Sequence, residues 1–258
     1  MTDQTDQTDQ TDLVRLRIDG AVATLTLDSP SNRNALSRRL VTDLVRCLDT
    51  AALAPDVRVV VIAASGSVFC SGADLSEAVA DGMEEGARGL VALQRQIVAL
   101  PKPVVVRLQG PVRAGGLGIV GAADVVISAD TVTFAFTEVR LGLAPAAISL
   151  TTLPRLTDRA AARYFLGGDG FDATTAVRIG LVTEAVPADR LDDAVAAVAG
   201  HLSEGSTQGL AETKALLAVP LLARIDALGE DVAAQSARLF ASDEARAAMH
   251  AFLQHRRR

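Results

Sequence analysis

The hydrophobic period of this chain changes once, and that change limits its architecture more than any other feature. Up to about residue 145, short apolar or alternating runs take turns with helical patterns. Beyond that point Ala-rich helical spacing dominates, at 158–166, 172–179, 189–202, 209–218 and 221–253, and only 181–186 reads as extended. Alternating strands and helices followed by helices alone predict one α/β core with a helical C-terminal region. The 258 residues, 49% of them apolar, suffice to bury a core of that kind.

The opening is legible residue by residue. Residues 13–18 alternate apolar and basic side chains, Asp19-Gly20 is a hairpin-turn dipeptide, and the alternation resumes over 21–27. Val22, Thr24 and Thr26 face one way, and Ala23, Leu25 and Leu27 the other. Ser37 is placed to cap a helix with Leu40, Leu44, Val45 and Leu48 on its apolar side. Residues 57–63 and 104–108 read as buried strands, with shorter ones at 125–128 and 132–136. A helix over 84–100 is stopped by Pro101 and Pro103. Residues 2–12 repeat Thr-Asp-Gln with nothing to bury, which predicts a disordered leader over 1–12. The remaining chain divides into a core at 13–200 and a helical region at 201–258.

Composition excludes several classes of function. Aromatic residues make up 3% of the chain and Trp is absent, so platforms for stacking nucleic-acid bases are missing. A net charge of −6 argues against nucleic-acid or anionic-membrane partners. The one basic run, Arg256-Arg257-Arg258, is either a solvated tail or a contact for a phosphate-bearing ligand. Cys47 and Cys70 form no CxxC and read as reduced core thiols. No apolar run reaches the ~20 residues of a membrane span, and the polar opening predicts no secretory signal. The expected location is the cytoplasm. His201, His250 and His255 all lie far from the glycine turns, and no G-x-S-x-G occurs, so a Ser-His-Asp hydrolase is not expected. No His, Cys and carboxylate spacing implies a metal.

Two glycine-bounded turns follow buried strands. Gly116-Leu117-Gly118-Ile119-Val120-Gly121 matches G-x-G-x-x-G, the turn that cradles a dinucleotide. The helix it would open ends by about Ala123, and no acidic residue is placed to hold a ribose. The other reading uses the unpaired N–H groups at the start of a helix near Gly115-Gly116, which can face an oxyanion. A second turn, Phe69-Cys70-Ser71-Gly72-Ala73-Asp74, could offer another N–H to the same oxygen. Two ordinary strand-to-helix turns remain the plain alternative. Downstream, 134–150 is apolar except for Glu138 and Arg140. A carboxylate buried there without a partner suits proton transfer; a salt bridge to Arg140 or Arg113 is the alternative. Glu77, Asp81, Glu84 and Glu85 read as a solvated face.

Several segments together resemble the enoyl-CoA hydratase/isomerase, or crotonase, family. They are Ser31-Asn32-Arg33-Asn34-Ala35-Leu36, Val57-Arg58-Val59-Val60-Val61, Phe69 to Leu75, Pro101-Lys102-Pro103-Val104, Ala114-Gly115-Gly116, Phe134 to Pro145, Leu153-Pro154-Arg155-Leu156 and Gly180-Leu181-Val182. The resemblance implies a spiral of ββα units with a helical C-terminal trimerisation region, as a homotrimer or a dimer of trimers. It implies an acyl-CoA thioester substrate, with coenzyme A as part of the substrate and no separate cofactor or metal. It assigns the N–H groups of Ala73 and Gly115 to an oxyanion hole and Glu138 to proton transfer. It assigns Arg33, Ser71, Asp74, Gly116 and Arg256 to contacts with the CoA substrate.

One departure stands out. The family's hydratases commonly carry a first glutamate three residues beyond the oxyanion-hole glycine, and here that position is Gly118. Three readings follow from the resemblance. The first is a 2-enoyl-CoA hydratase using one carboxylate, with branched methylglutaconyl-type thioesters among its candidate substrates. The second is a 3-enoyl- to 2-enoyl-CoA isomerase using Glu138 alone. The third is a member that binds acyl-CoA without turning it over.

Overall fold

A computed structural model of the chain describes residues 12–255; the leader expected over 1–12 and the Arg256–Arg258 cluster therefore lie almost wholly outside the described residues. Nine strands follow in chain order: β1 (Val14–Asp19), β2 (Val22–Leu27), β3 (Val59–Ala64), β4 (Val104–Leu108), β5 (Val112–Arg113), β6 (Val125–Ala129), β7 (Thr133–Ala135), β8 (Phe171–Asp172) and β9 (Glu184–Val186). They form a six-stranded sheet, ordered β1-β2-β3-β4-β6-β9, and a three-stranded sheet, ordered β5-β7-β8. The hairpin β1–β2 is antiparallel, with Val14 opposite Leu27 and Asp19 opposite Val22. Ala23, Leu25 and Leu27 point into the core, as the alternation requires. From β2 onward every pairing in the large sheet is parallel. All six residues of β3 are buried, the signature of a parallel strand covered on both faces.

The helices are α1 (Arg38–Leu53), α2 (Leu75–Asp81), α3 (Glu84–Ala99), α4 (Gly116–Ala122), α5 (Ala146–Thr152), α6 (Asp158–Gly167), α7 (Ala173–Arg178), α8 (Leu191–Ser203), α9 (Thr207–Phe240) and α10 (Asp243–His255). Ser37 caps α1 by accepting from the Leu40 N–H. Strands β4 and β6 each hand the chain, within a few residues, to a strand of the small sheet, and a helix follows: β4-β5-α4, then β6-β7 and a 3₁₀ turn before α5. These are the ββα units of the expected spiral.

Two expectations change in the second half. The sequence breaks the long C-terminal pattern near Pro220, yet α9 runs unbroken for 34 residues through that proline. Pro220 cannot donate to the Leu216 carbonyl, but Leu216, Leu217 and Val219 are all exposed, so water can satisfy the freed oxygen. The break falls instead at 241–242. The extended segment expected at 181–186 shortens to β9, because the N–H groups of Leu181 and Val182 turn back onto the Ala176 carbonyl.

One hydrophobic core joins the large sheet, α1, α3 and the Ala218, Leu221 and Ile225 face of α9. The boundary drawn at residue 200 falls inside α8, and residues on both sides of it belong to that shared core. A second, smaller cluster joins Ala78, Leu143, Ala245 and Met249 and fastens α10 over α2 and the turn after β7.

Candidate active site

The small sheet brings three distant turns together. Val112 and Arg113 of β5 pair in parallel with Phe134 and Ala135 of β7. The chain just before α2 joins the same ladder, since Cys70 bridges Val112 and the Arg113 N–H donates to the Cys70 carbonyl at 3.0 Å. Ala73 in turn bridges Leu36. This register sets Ala73, Gly115 and Glu138, each a few residues past its paired strand, around one space.

The Ala73 and Gly115 amides are near neighbours. A methyl group added at Gly115 would lie 3.5 Å from the Ala73 nitrogen, and one at Gly72 would lie 3.5 Å from the Gly115 nitrogen. Among the described residues, neither N–H donates to another group of the protein. The turns that carry them are tightly constrained. Gly72 has φ +98, and a side chain there would meet the Ala114 Cβ at 2.9 Å. Ala114 itself holds φ 45, a costly conformation for a residue with a Cβ. Asp74 braces the first turn: its Oδ1 accepts from the Ser76 and Glu77 N–H groups, and its Oδ2 accepts from Asn32 Nδ2 at 2.7 Å.

Glu138 opens the 3₁₀ turn after β7, which ends at Gly142 with φ 67. The turn is pinned by Phe136, whose ring packs on Phe165 at 4.4 Å between centroids, and by the Leu143 N–H on the Glu138 carbonyl. The Glu138 side chain is only 9% exposed, and its Oε2 has no hydrogen-bond partner. Burial pushes its carboxyl group up to about 7, with a hydrogen bond from its own main chain opposing part of that rise. The salt-bridge alternative is not realised. The Arg113 guanidinium donates instead to the Val112 and Thr133 carbonyls and the Thr133 hydroxyl, and no ion pair links Arg140 to Glu138 among the described residues.

Ala73, Gly115 and Glu138 line one cavity of about 730 Å³. Arg33, Ser71 and Asp74 line it too, so three of the five residues expected at the CoA substrate share the space with them. Gly116 does not. It is buried behind the turn, where an added Cβ would meet Cys70 at 2.7 Å and Val112 at 3.1 Å, so its glycine serves close packing. Arg256 lies outside the described residues, although Ala248 and Phe252 of the preceding α10 form part of the cavity wall. Sequence reasoning missed the contributions of α9 and α10, Ser236 and Phe240 among them. Only their helical period was visible, and that period does not say which face meets the site.

The position of the absent glutamate is filled. A Cβ on Gly118 would meet the Gln94 carboxamide and the Ile148 Cγ2, each at 3.1 Å. Gln94, fully buried on α3, donates to the Ala147 and Leu90 carbonyls and accepts from the Thr151 hydroxyl at 2.6 Å. The same hydroxyl approaches the Gly118 carbonyl at 3.1 Å. Among the described residues the other candidate acids are engaged elsewhere: Glu77 and Glu85 bind Arg38 and Glu84 binds Arg88, while the Asp81 side chain lies outside the described residues. The G-x-G-x-x-G run is likewise closed to a phosphate. Gly121 lies against the Thr151 backbone, where a Cβ would stand 2.8 Å from its carbonyl carbon. Among the described residues no cluster of His, Cys, Asp or Glu is arranged to hold a metal, and no helix is long and apolar enough to cross a membrane.

This fold and this cavity define a class, the crotonase-fold proteins. Residues 17–258 match the family model described as enoyl-CoA hydratase/isomerase. The chain belongs to that family. A crystal structure of an enoyl-CoA hydratase from Mycobacterium avium is 48% identical, with a TM-score of 0.88 over 95% of this chain and 97% of that one. Enoyl-CoA isomerase/hydratase fer4 of Mycosarcoma maydis is 34% identical over 176 residues, 63% of this chain and 64% of that protein. A methylmalonyl-CoA decarboxylase in complex with 2-nitronate-propionyl-CoA shares the fold, at 23% identity and a TM-score of 0.81 over 94% of this chain and 96% of that one.

Proposed function

We propose that this protein adds water to a 2-enoyl-CoA thioester, gathering charge on the thioester oxygen at the Ala73 and Gly115 N–H groups and moving protons with Glu138. One observation carries the reading: a buried carboxylate with one unpartnered oxygen lines the same cavity as two adjacent amides that donate to no group among the described residues. The ionised Glu138 takes a proton from water as the water oxygen bonds to Cβ. The displaced π electrons move onto the thioester as an enolate, and the two amides stabilise its oxygen. Each such preorganised donor contributes ~3–4 kcal/mol to the transition state. Glu138 then returns the proton to Cα, so water is added across the double bond and the carboxylate is restored. Arg33, Ser71 and Asp74, together with Arg256, hold the CoA moiety in this reading. No cofactor is needed beyond the coenzyme A of the substrate. The assembly is a homotrimer or a dimer of trimers, which the exposed Leu216, Leu217 and Val219 of α9 favour and light scattering of the purified protein tests.

A second reading, isomerisation of 3-enoyl- to 2-enoyl-CoA, is favoured by the closed position at Gly118. A single base suffices there: Glu138 removes an α-proton and returns it to the γ-carbon. Product analysis with matched 2-enoyl- and 3-enoyl-CoA substrates separates the two. Gain of water by the 2-enoyl thioester supports hydration, and migration of the double bond without water supports isomerisation. Binding of both thioesters with no turnover of either overturns both enzymatic readings in favour of a binding protein.

A further inference from the structure

Helices α3 and α9 run antiparallel, as the ion pairs Arg88–Glu230 and Arg95–Asp226, both 2.7 Å, define. Extending that register along α9 carries Ser236 toward the N-terminal end of α3, where Met83, Gly86 and Ala87 line the cavity. Phe240, one turn further along α9, and Ile148 of α5 line it as well. Ser236 is the single polar side chain that α3, α5 and α9 contribute to this wall. The polar residues Asn32, Arg33, Ser71, Asp74 and Ser76 belong to other segments of the lining.

Ser236 is 7% exposed, and its hydroxyl has no hydrogen-bond partner among the described residues. Three helical threonines bond the carbonyl four residues back, Thr42 to Arg38, Thr50 to Arg46 and Thr152 to Ile148, at 2.7–2.9 Å, and the helical serines Ser149 and Ser203 bond the carbonyl three residues back. Ser236 makes no such bond to Val232. Its oxygen is not wholly enclosed, so the hydroxyl opens on the cavity and is placed to bond a polar group that enters there. The cavity it lines is where a partner can reach it. No Lys, Arg or His of α3, α5 or α9 lines this wall, and the arginines of the lining, Arg33, Arg113 and Arg140, stand on other segments, so an uncharged group suits the wall better than a carboxylate.

We propose that Ser236 is a specificity-determining residue that hydrogen-bonds an uncharged oxygen substituent, a hydroxyl or keto group, on the acyl chain away from the thioester. This deepens the acyl-CoA reading of the cavity and rests on it. Equilibrium binding tests it without requiring turnover. Saturated acyl-CoAs from hexanoyl to dodecanoyl are compared with counterparts that carry a hydroxyl, a ketone or a terminal carboxylate along the chain, using the wild-type chain and Ser236→Ala. At least one hydroxyl or keto chain binds about five- to tenfold tighter than its plain counterpart in the wild type, and the ratio falls to near one in Ser236→Ala. A ratio does not depend on how much of the variant is folded. A wild-type ratio near one, a ratio unchanged by the substitution, or a preference for the carboxylate overturns this inference and leaves the acyl-CoA reading standing. Failure of every acyl-CoA to bind overturns both.

Discussion

At the scale of single residues, Glu138 governs how this protein answers to pH. Its carboxyl group is held at about 7 by burial. In the hydration mechanism the group must be ionised to accept a proton, so kcat/KM rises through about pH 7 and levels off above it. A rate profile flat between pH 5 and 8 removes Glu138 as the base. Glu138→Gln lowers turnover about 10²- to 10⁴-fold, the range for loss of a positioned acid–base group, and single-turnover kinetics reads that loss. The same desolvation affects stability. The native state holds the Glu138 proton more tightly than the unfolded chain does, so stability falls as pH rises from about 4.5 to about 7. The difference amounts to about 3 kcal/mol above that window. Glu138→Gln, which cannot ionise, is therefore more stable than the wild type at pH 8 and no more stable at pH 4. Denaturant titrations at the two pH values measure it.

At the scale of elements, the decisive contact is the wedge of α3 and α5 against α4. Gln94 and Ile148 occupy the space a side chain on Gly118 would need, and the Thr151 hydroxyl that donates to Gln94 Oε1 stands 3.1 Å from the Gly118 carbonyl. Helix α4 begins at the turn that presents the Gly115 N–H, and α5 follows the turn that presents Glu138. The wedge therefore fixes two parts of the site relative to each other. Gly118→Glu overpacks it and buries an unpaired charge, at a cost of about 1–3 kcal/mol from packing alone. Thermal denaturation of the variant checks this. A Gly118→Glu protein as stable as the wild type would mean that the space is open.

At the scale of the whole molecule, buried lysines attach the helical half to the sheet. Lys214 of α9 reaches Asp124 Oδ2 at 2.7 Å and the carbonyls of Ile97 and Lys102 at 3.0 Å. Lys102 reaches the Ala51 and Ala54 carbonyls at the end of α1. Burial lowers the Lys214 pKa, and the Asp124 carboxylate opposes that shift. Lys214→Met keeps the stem but takes the charge partner from Asp124, which retains the Val104 N–H, at a cost of about 1–3 kcal/mol. Chemical denaturation reads this directly. A change of less than 1 kcal/mol would show that the α9 attachment rests on apolar packing alone.

Local pattern alone determined much of this protein. The β1–β2 hairpin, the inward set Ala23, Leu25 and Leu27, the Ser37 cap and the buried strand β3 were all legible, because each depends on residues close in the chain. The alternation of strands and helices and the apolar setting of Glu138 were legible for the same reason, whereas the ββα units were implied by the family resemblance. Tertiary structure decided the rest. Whether Glu138 pairs or stays free depended on Arg113, which the Thr133 and Val112 carbonyls occupy. Whether Gly118 leaves room for a second carboxylate depended on Gln94 and Ile148, which arrive from other helices. Whether the Ala73 and Gly115 amides converge depended on the ladder through Cys70, Val112 and Phe134. Desolvation and convergence are set by side chains and backbones that meet only when distant segments pack, and no local period encodes that meeting.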